Sequence, residues 1–92
     1  MTAEQLDDLI FEMTRRHERG VEQLTHLLAS DGGSDVYELA AKVAGPGVRA
    51  ADWLTTAQIG LGGVVPAVWA LEPDGRERVM TLLMQIDQGV YV

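Results

Sequence analysis

Apolar residues recur at helical spacing over the first third of the chain. Leu6, Leu9, Ile10, Met13, Val21, Leu24, Leu27 and Leu28 fall on one stripe of a 3.6-residue repeat, and Thr2 followed by Gln5 has the form of a capping box. The spacing predicts one helix from about Ala3 to Ala29. Gly20 lies on the same stripe as Met13 and Leu24. It either lets another helix approach closely or breaks the segment in two, at a cost of about 1 kcal/mol relative to Ala. The continuous helix is the expectation, since only Gly20 interrupts the pattern. Asp31-Gly32-Gly33 supplies a stop, and Ser34 is placed to cap a second helix carrying Val36, Leu39, Ala40 and Val43 on one side. Gly45-Pro46-Gly47 cannot continue that helix and is the candidate boundary between an N-terminal helical segment, 1–45, and a C-terminal module, 46–92.

In the second half Trp53-Leu54 ends one helical segment, Leu61-Gly62-Gly63 redirects the chain and Pro66 opens another helix. Ile59 to Leu71 is the most apolar stretch, and its glycines and proline predict a buried turn and short helix. Trp53 is assigned to the core, and Gly62-Gly63 is read as a turn whose bare backbone receives Trp53 or Trp69. A last helix runs from about Pro73 to Gln88. Val79, Leu82, Leu83 and Ile86 make one stripe of it, while Met80 and Met84 lie four apart on a neighbouring flank. Methionines on a flank either complete the core or form an adaptable docking surface, and periodicity does not choose between them. No segment alternates strictly between apolar and polar, so the expected class is all-α: a long N-terminal helix, a second short helix and a C-terminal helical module.

Composition narrows the functions available. A chain of 92 residues that is 47% hydrophobic, with two Trp, two Tyr and one Phe, has a marginal core. Self-association or a partner would help it, and the long first stripe nominates Leu9, Met13, Gly20 and Leu24 as a dimerisation surface; a homo-oligomer is expected. The formal charge of −7 repels phosphate, which argues against nucleic acid and anionic membranes as partners. No cysteine is present, so a disulfide framework and thiolate chemistry are excluded and a cytoplasmic location is expected. Neither a secretory leader nor a membrane span is read in the sequence.

Candidates for chemistry are few. His17, Glu18, Glu22 and His26 are the sole cluster suggesting metal or acid-base work, and a site normally needs three or four convergent ligands. Glu12, Arg15, Arg16, Glu18, Arg19 and Glu22 read as a solvated face of interleaved charges, with His17 as a partly covered interface residue on the apolar stripe. Leu61-Gly62-Gly63 lacks the lysine and hydroxyl of a phosphate-binding loop. No catalytic residue, no metal site and no cofactor are assigned, and the expected role is binding of another protein.

The order of Ala51-Asp52-Trp53-Leu54, Leu61-Gly62-Gly63, Pro66, Gly75, Val79, Leu83 and Ile86-Asp87-Gln88-Gly89-Val90 resembles the C-terminal toxin-binding domain of antitoxins of the Xre/MbcA/ParS type, over about Val48 to Val92. The resemblance implies an α-helical, often dimeric domain that neutralises an RES-type toxin, an enzyme that destroys NAD, by obstructing its active site with the C-terminal helix and tail. It gives Trp53, Leu54, Gly62, Gly63, Pro66 and Gly75 structural roles. The resulting partner-binding set is Met80, Met84, Asp87, Gln88, Gly89, Val90, Tyr91 and Val92. Two positions depart from the family pattern: Ala57-Gln58 stands where Pro-Asn is common, and Val65 replaces a capping hydroxyl before Pro66. The family's usual N-terminal helix-turn-helix is not read in the first 45 residues, so DNA-binding autorepression is not carried over. That departure leaves open a second role, an orphan or phage-type effector that uses the module on a different host protein.

Overall fold

A computed structural model describes residues 1–89. Five α-helices follow in order: α1 (Ala3–Ala29), α2 (Gly33–Ala44), α3 (Val48–Thr55), α4 (Pro66–Trp69) and α5 (Pro73–Asp87), with a 3₁₀ turn at Ile59–Leu61 between α3 and α4. The described residues contain no strand, only an isolated antiparallel bridge between Gln58 and Val64. The all-α reading is correct.

Local chemistry explains most of the boundaries. Thr2 accepts from the Gln5 N–H at 3.1 Å and the Gln5 side chain accepts from the Thr2 N–H at 2.9 Å, so two of the four orphan donors at the start of α1 are satisfied. The helix passes through Gly20 without a break. A methyl group built on Gly20 meets Thr55 at 3.7 Å, ordinary contact, so the glycine marks where α1 first touches the end of α3. At the other end the Ser30 N–H and hydroxyl both donate to the Leu27 carbonyl, at 3.0 and 2.6 Å.

The start of α2 differs from the sequence expectation. Its N-cap is Gly32, with φ +76°, and no side chain caps it; Ser34 lies inside the helix. Gly33 is buried, and a Cβ there would overlap the Leu27 carbonyl. The chain reverses so tightly after α1 that close approach decides the sequence at this corner, and capping does not. Gly45, with φ +109°, ends α2, and the Tyr37 hydroxyl accepts from the Gly47 N–H at 3.2 Å, tying α2 to the following turn.

One hydrophobic core runs through all five helices: Leu27 from α1, Val36 and Ala40 from α2, Ala50 and Leu54 from α3, Leu61, Ala67, Ala70, and Val79, Leu82 and Leu83 from α5. α2 lies between α3 and α5 and packs on both. Core residues therefore stand on both sides of the Gly45-Pro46-Gly47 turn. Pro66 is fully buried at the first position of α4, where its missing N–H is not required.

One further expectation is corrected. The Ile59 to Leu71 stretch is not a buried unit: Leu61, Pro66, Ala67 and Ala70 are inside, but Ile59 is 93% exposed and Val64, Val68 and Leu71 are also exposed. A 3₁₀ turn and a four-residue helix have too little surface to cover every apolar side chain they carry. His17 is exposed, because α1 lies clear of the body over residues 3–19. This overhang gives the molecule its elongated outline of 46 × 30 × 24 Å.

Candidate functional site

α5 positions the candidate partner surface. Val79, Leu82 and Leu83 are buried, and Gly75, one turn upstream of Val79, is buried on the same face. A Cβ on Gly75 would collide with the carbonyl oxygen and indole Cδ1 of Trp69. The bare backbone that receives a tryptophan is thus Gly75 and not Gly62-Gly63. Gly62 and Gly63 have φ of +75° and +85° with nothing within 4 Å of an added Cβ, so their role is purely conformational. Trp69 and Trp53 are both half-buried against the core, and the Arg78 guanidinium sits 6.0 Å from the Trp69 ring. Leu54 is fully buried.

The two methionines of the flank separate. Met80 is half-buried against the core and borders a shallow depression of about 240 Å³ with Gly32, Asp35, Pro73, Arg76 and Glu77. Met84, one turn on, is 44% exposed. Asp87 pairs with Lys42 of α2 at 3.2 Å, a partly solvated bridge worth roughly 0.2–1 kcal/mol that ties the end of α5 to α2. Gln88 and Gly89 are exposed; the Gly89 N–H donates to the Ile86 carbonyl at 3.1 Å, and its φ of +73° ends the helix. Of the eight residues in the partner-binding set, Met84, Asp87, Gln88 and Gly89 therefore stand together at the outer end of α5, with Met80 turned inward. Val90, Tyr91 and Val92 lie outside the described residues.

The dimerisation set divides along α1. Leu9 and Met13 are exposed on the free part, while Gly20 and Leu24 are half-buried where the helix meets the body. Glu22 and His26 lie on exposed positions of α1.

Two structural contacts escaped sequence reasoning. An Arg76 guanidinium N–H donates to the Asp31 carbonyl, and the arginine stem packs over Gly32, so the start of α5 is tied to the α1–α2 corner 45 residues earlier. No local signal reports a pairing at that separation. The Gln58 amide donates to the carbonyls of Trp53 at 3.0 Å and Thr56 at 3.2 Å, capping the end of α3. A carboxamide at the position where the family commonly has Asn was the available hint. Val65, as expected from its missing hydroxyl, makes no side-chain cap for α4.

Residues 39–89, more than half of the chain, match the antitoxin Xre/MbcA/ParS C-terminal toxin-binding domain. The chain belongs to this family. The matched span begins within α2 and ends at the glycine that closes α5, so it takes in the end of α5 that carries Met84, Asp87, Gln88 and Gly89. The domain's description as toxin-binding identifies the partner class as a protein. No helix among the described residues is long and apolar enough to cross a membrane. No curated protein and no solved structure matches the chain.

Proposed function

We propose that this chain is a non-catalytic inhibitor that binds an RES-type NAD-degrading toxin and obstructs its active site with the end of α5 and the residues after it. One observation carries the reading. The family match runs to residue 89, and at that end α5 buries Val79, Leu82 and Leu83 while leaving Met84, Gln88 and Gly89 exposed. The core leaves this surface uncovered, and it lies within the span that matches a toxin-binding domain. Met84 supplies a flexible apolar contact.

Obstruction follows from shape. An enzyme cleft is concave, and α5 ends in a helix terminus, a narrow convex element, beyond which the sequence Val90-Tyr91-Val92 has no side-chain charge to desolvate. The proposed setting is the cytoplasm, where the target's substrate NAD resides.

The test is co-expression with an RES-type toxin, reading cellular NAD and complex formation. The full chain is expected to preserve NAD and co-purify with the toxin. A chain truncated after Gln88 should keep its helicity and lose at least about 2 kcal/mol of binding, the scale of an interface hot spot. Met84→Glu should cost a comparable part of it. If the truncated chain folds and binds as tightly as the full one, the tail does not obstruct; if no RES-type toxin binds but another host protein is held through the same residues, the effector role replaces this one.

A further inference from the structure

The stripe that seats α1 on the body does not stop where the body stops. Leu6, Met13, Gly20 and Leu27 repeat at intervals of seven, and Ile10, His17 and Leu24 interleave with them at the alternating three and four spacing of a coiled-coil seam. The body covers only the last part of this seam: Leu27 is fully buried, Leu24 partly so, and Gly20 is the first residue from the N-terminus that is not exposed. Over residues 3–19 no other described residue covers the seam, with Ile10 54% and Met13 63% exposed. An overhang of roughly 25 Å of single helix is marginal in water by itself.

Charge along the overhang says what covers it. Glu4, Asp7 and Asp8 occupy its first half with no basic residue among them, and in its second half Arg15, Arg16 and Arg19 outnumber Glu12 and Glu18. A parallel copy would set acid against acid and base against base. An antiparallel copy sets each acidic half beside a basic one.

We infer that residues 3–19 of α1 pair antiparallel with the same segment of a second copy of this chain. The seam restricts the register to steps of seven residues; in the one that charge favours, Leu6 layers on the partner's His17 and Ile10 on the partner's Met13. Glu4, Asp7 and Asp8 then stand level with the partner's Arg19, Arg16 and Arg15. Ala3 stands level with the partner's Gly20, so each helix begins where the other chain's body begins, and the paired length equals the free length. Among the registers the seam allows, charge and the extent of the overhang both favour this one. α1 lies wholly outside the matched span, so the pairing belongs to this chain and not to the toxin-binding domain in general. The pair would hold two toxin-binding modules at opposite ends of one rod, with their Gly20 positions about 25 Å apart along the axis.

Sedimentation equilibrium of the full chain tests the partner, and cross-linking tests the direction; neither uses a toxin, so failure here is distinct from failure of the inhibitor reading. The full chain is expected to be a dimer at tens of micromolar, as order of magnitude for a small exposed seam. Met13→Glu should raise the dissociation constant at least about 30-fold with helicity of the body retained. Arg15→Glu with Arg16→Glu should weaken the dimer, and adding Asp7→Arg with Asp8→Arg should restore it. Because the chain has no cysteine, Leu6→Cys and His17→Cys proteins can be mixed and oxidised. The mixed disulfide is expected to dominate. A monomer throughout the micromolar range overturns the pairing, and disulfides between identical variants overturn the antiparallel direction.

Discussion

Gly20 and Gly75 make the same substitution, glycine to alanine inside a helix, into a test with opposite signs. At Gly20 an added methyl group meets Thr55 Cβ and Oγ1 at 3.7 Å and Cγ2 at 3.8 Å, which is contact without compression. The backbone there is already helical, so alanine loses less conformational freedom on folding and stabilises by about 0.5–1 kcal/mol. For a domain of this length that raises Tm by about 2–8 °C. The assay is thermal unfolding followed by circular dichroism at 222 nm, at one fixed protein concentration and on a Met13→Glu background, so that self-association does not contribute to Tm. An unchanged or lowered Tm, with α1 helicity intact, would show that the α1–α3 contact is tighter than 3.7 Å or that the helix bends at Gly20, and the account of this junction fails.

Gly75→Ala should lower stability by about 1–3 kcal/mol, because the methyl group meets the Trp69 backbone, which cannot yield as a flexible side chain would; urea unfolding measures it, and a neutral result removes the packing role of Gly75. Gln58→Ala should cost about 0.5–1.5 kcal/mol in the same assay through loss of its bonds to the Trp53 and Thr56 carbonyls, and Gln58→Asn should recover part of it if a carboxamide cap is the operative feature. Lys42→Ala should change stability by less than about 1 kcal/mol, since the Asp87 bridge is solvated; a larger loss would mean that α5 depends on that bridge for its position.

Much of this architecture is local and was legible in the chain. The capping box at Thr2 and Gln5, the break at Gly45-Pro46-Gly47, the proline opening α4 and the periodicity of α5 each act within a few residues of themselves, and the helices form at those places. The inward stripe Val79, Leu82 and Leu83 was equally plain, because an apolar arc that recurs every turn has to be covered. What the tertiary structure alone decided concerns partners at long separation. A glycine in a sequence signals either a backbone at positive φ or a neighbour too close for a Cβ, and only coordinates separate Gly62 and Gly63, which need the first, from Gly33 and Gly75, which need the second. Met80 and Met84 share a flank, yet the first is drawn inward beside α2 and the second is left outside. The stripe on α1 is continuous from Leu6 to Leu28, and nothing in its periodicity says that the body ends at Gly20. Periodicity determines which side of a helix is apolar; how far along that side another surface reaches depends on where the remaining elements pack, and that is settled only when the chain folds.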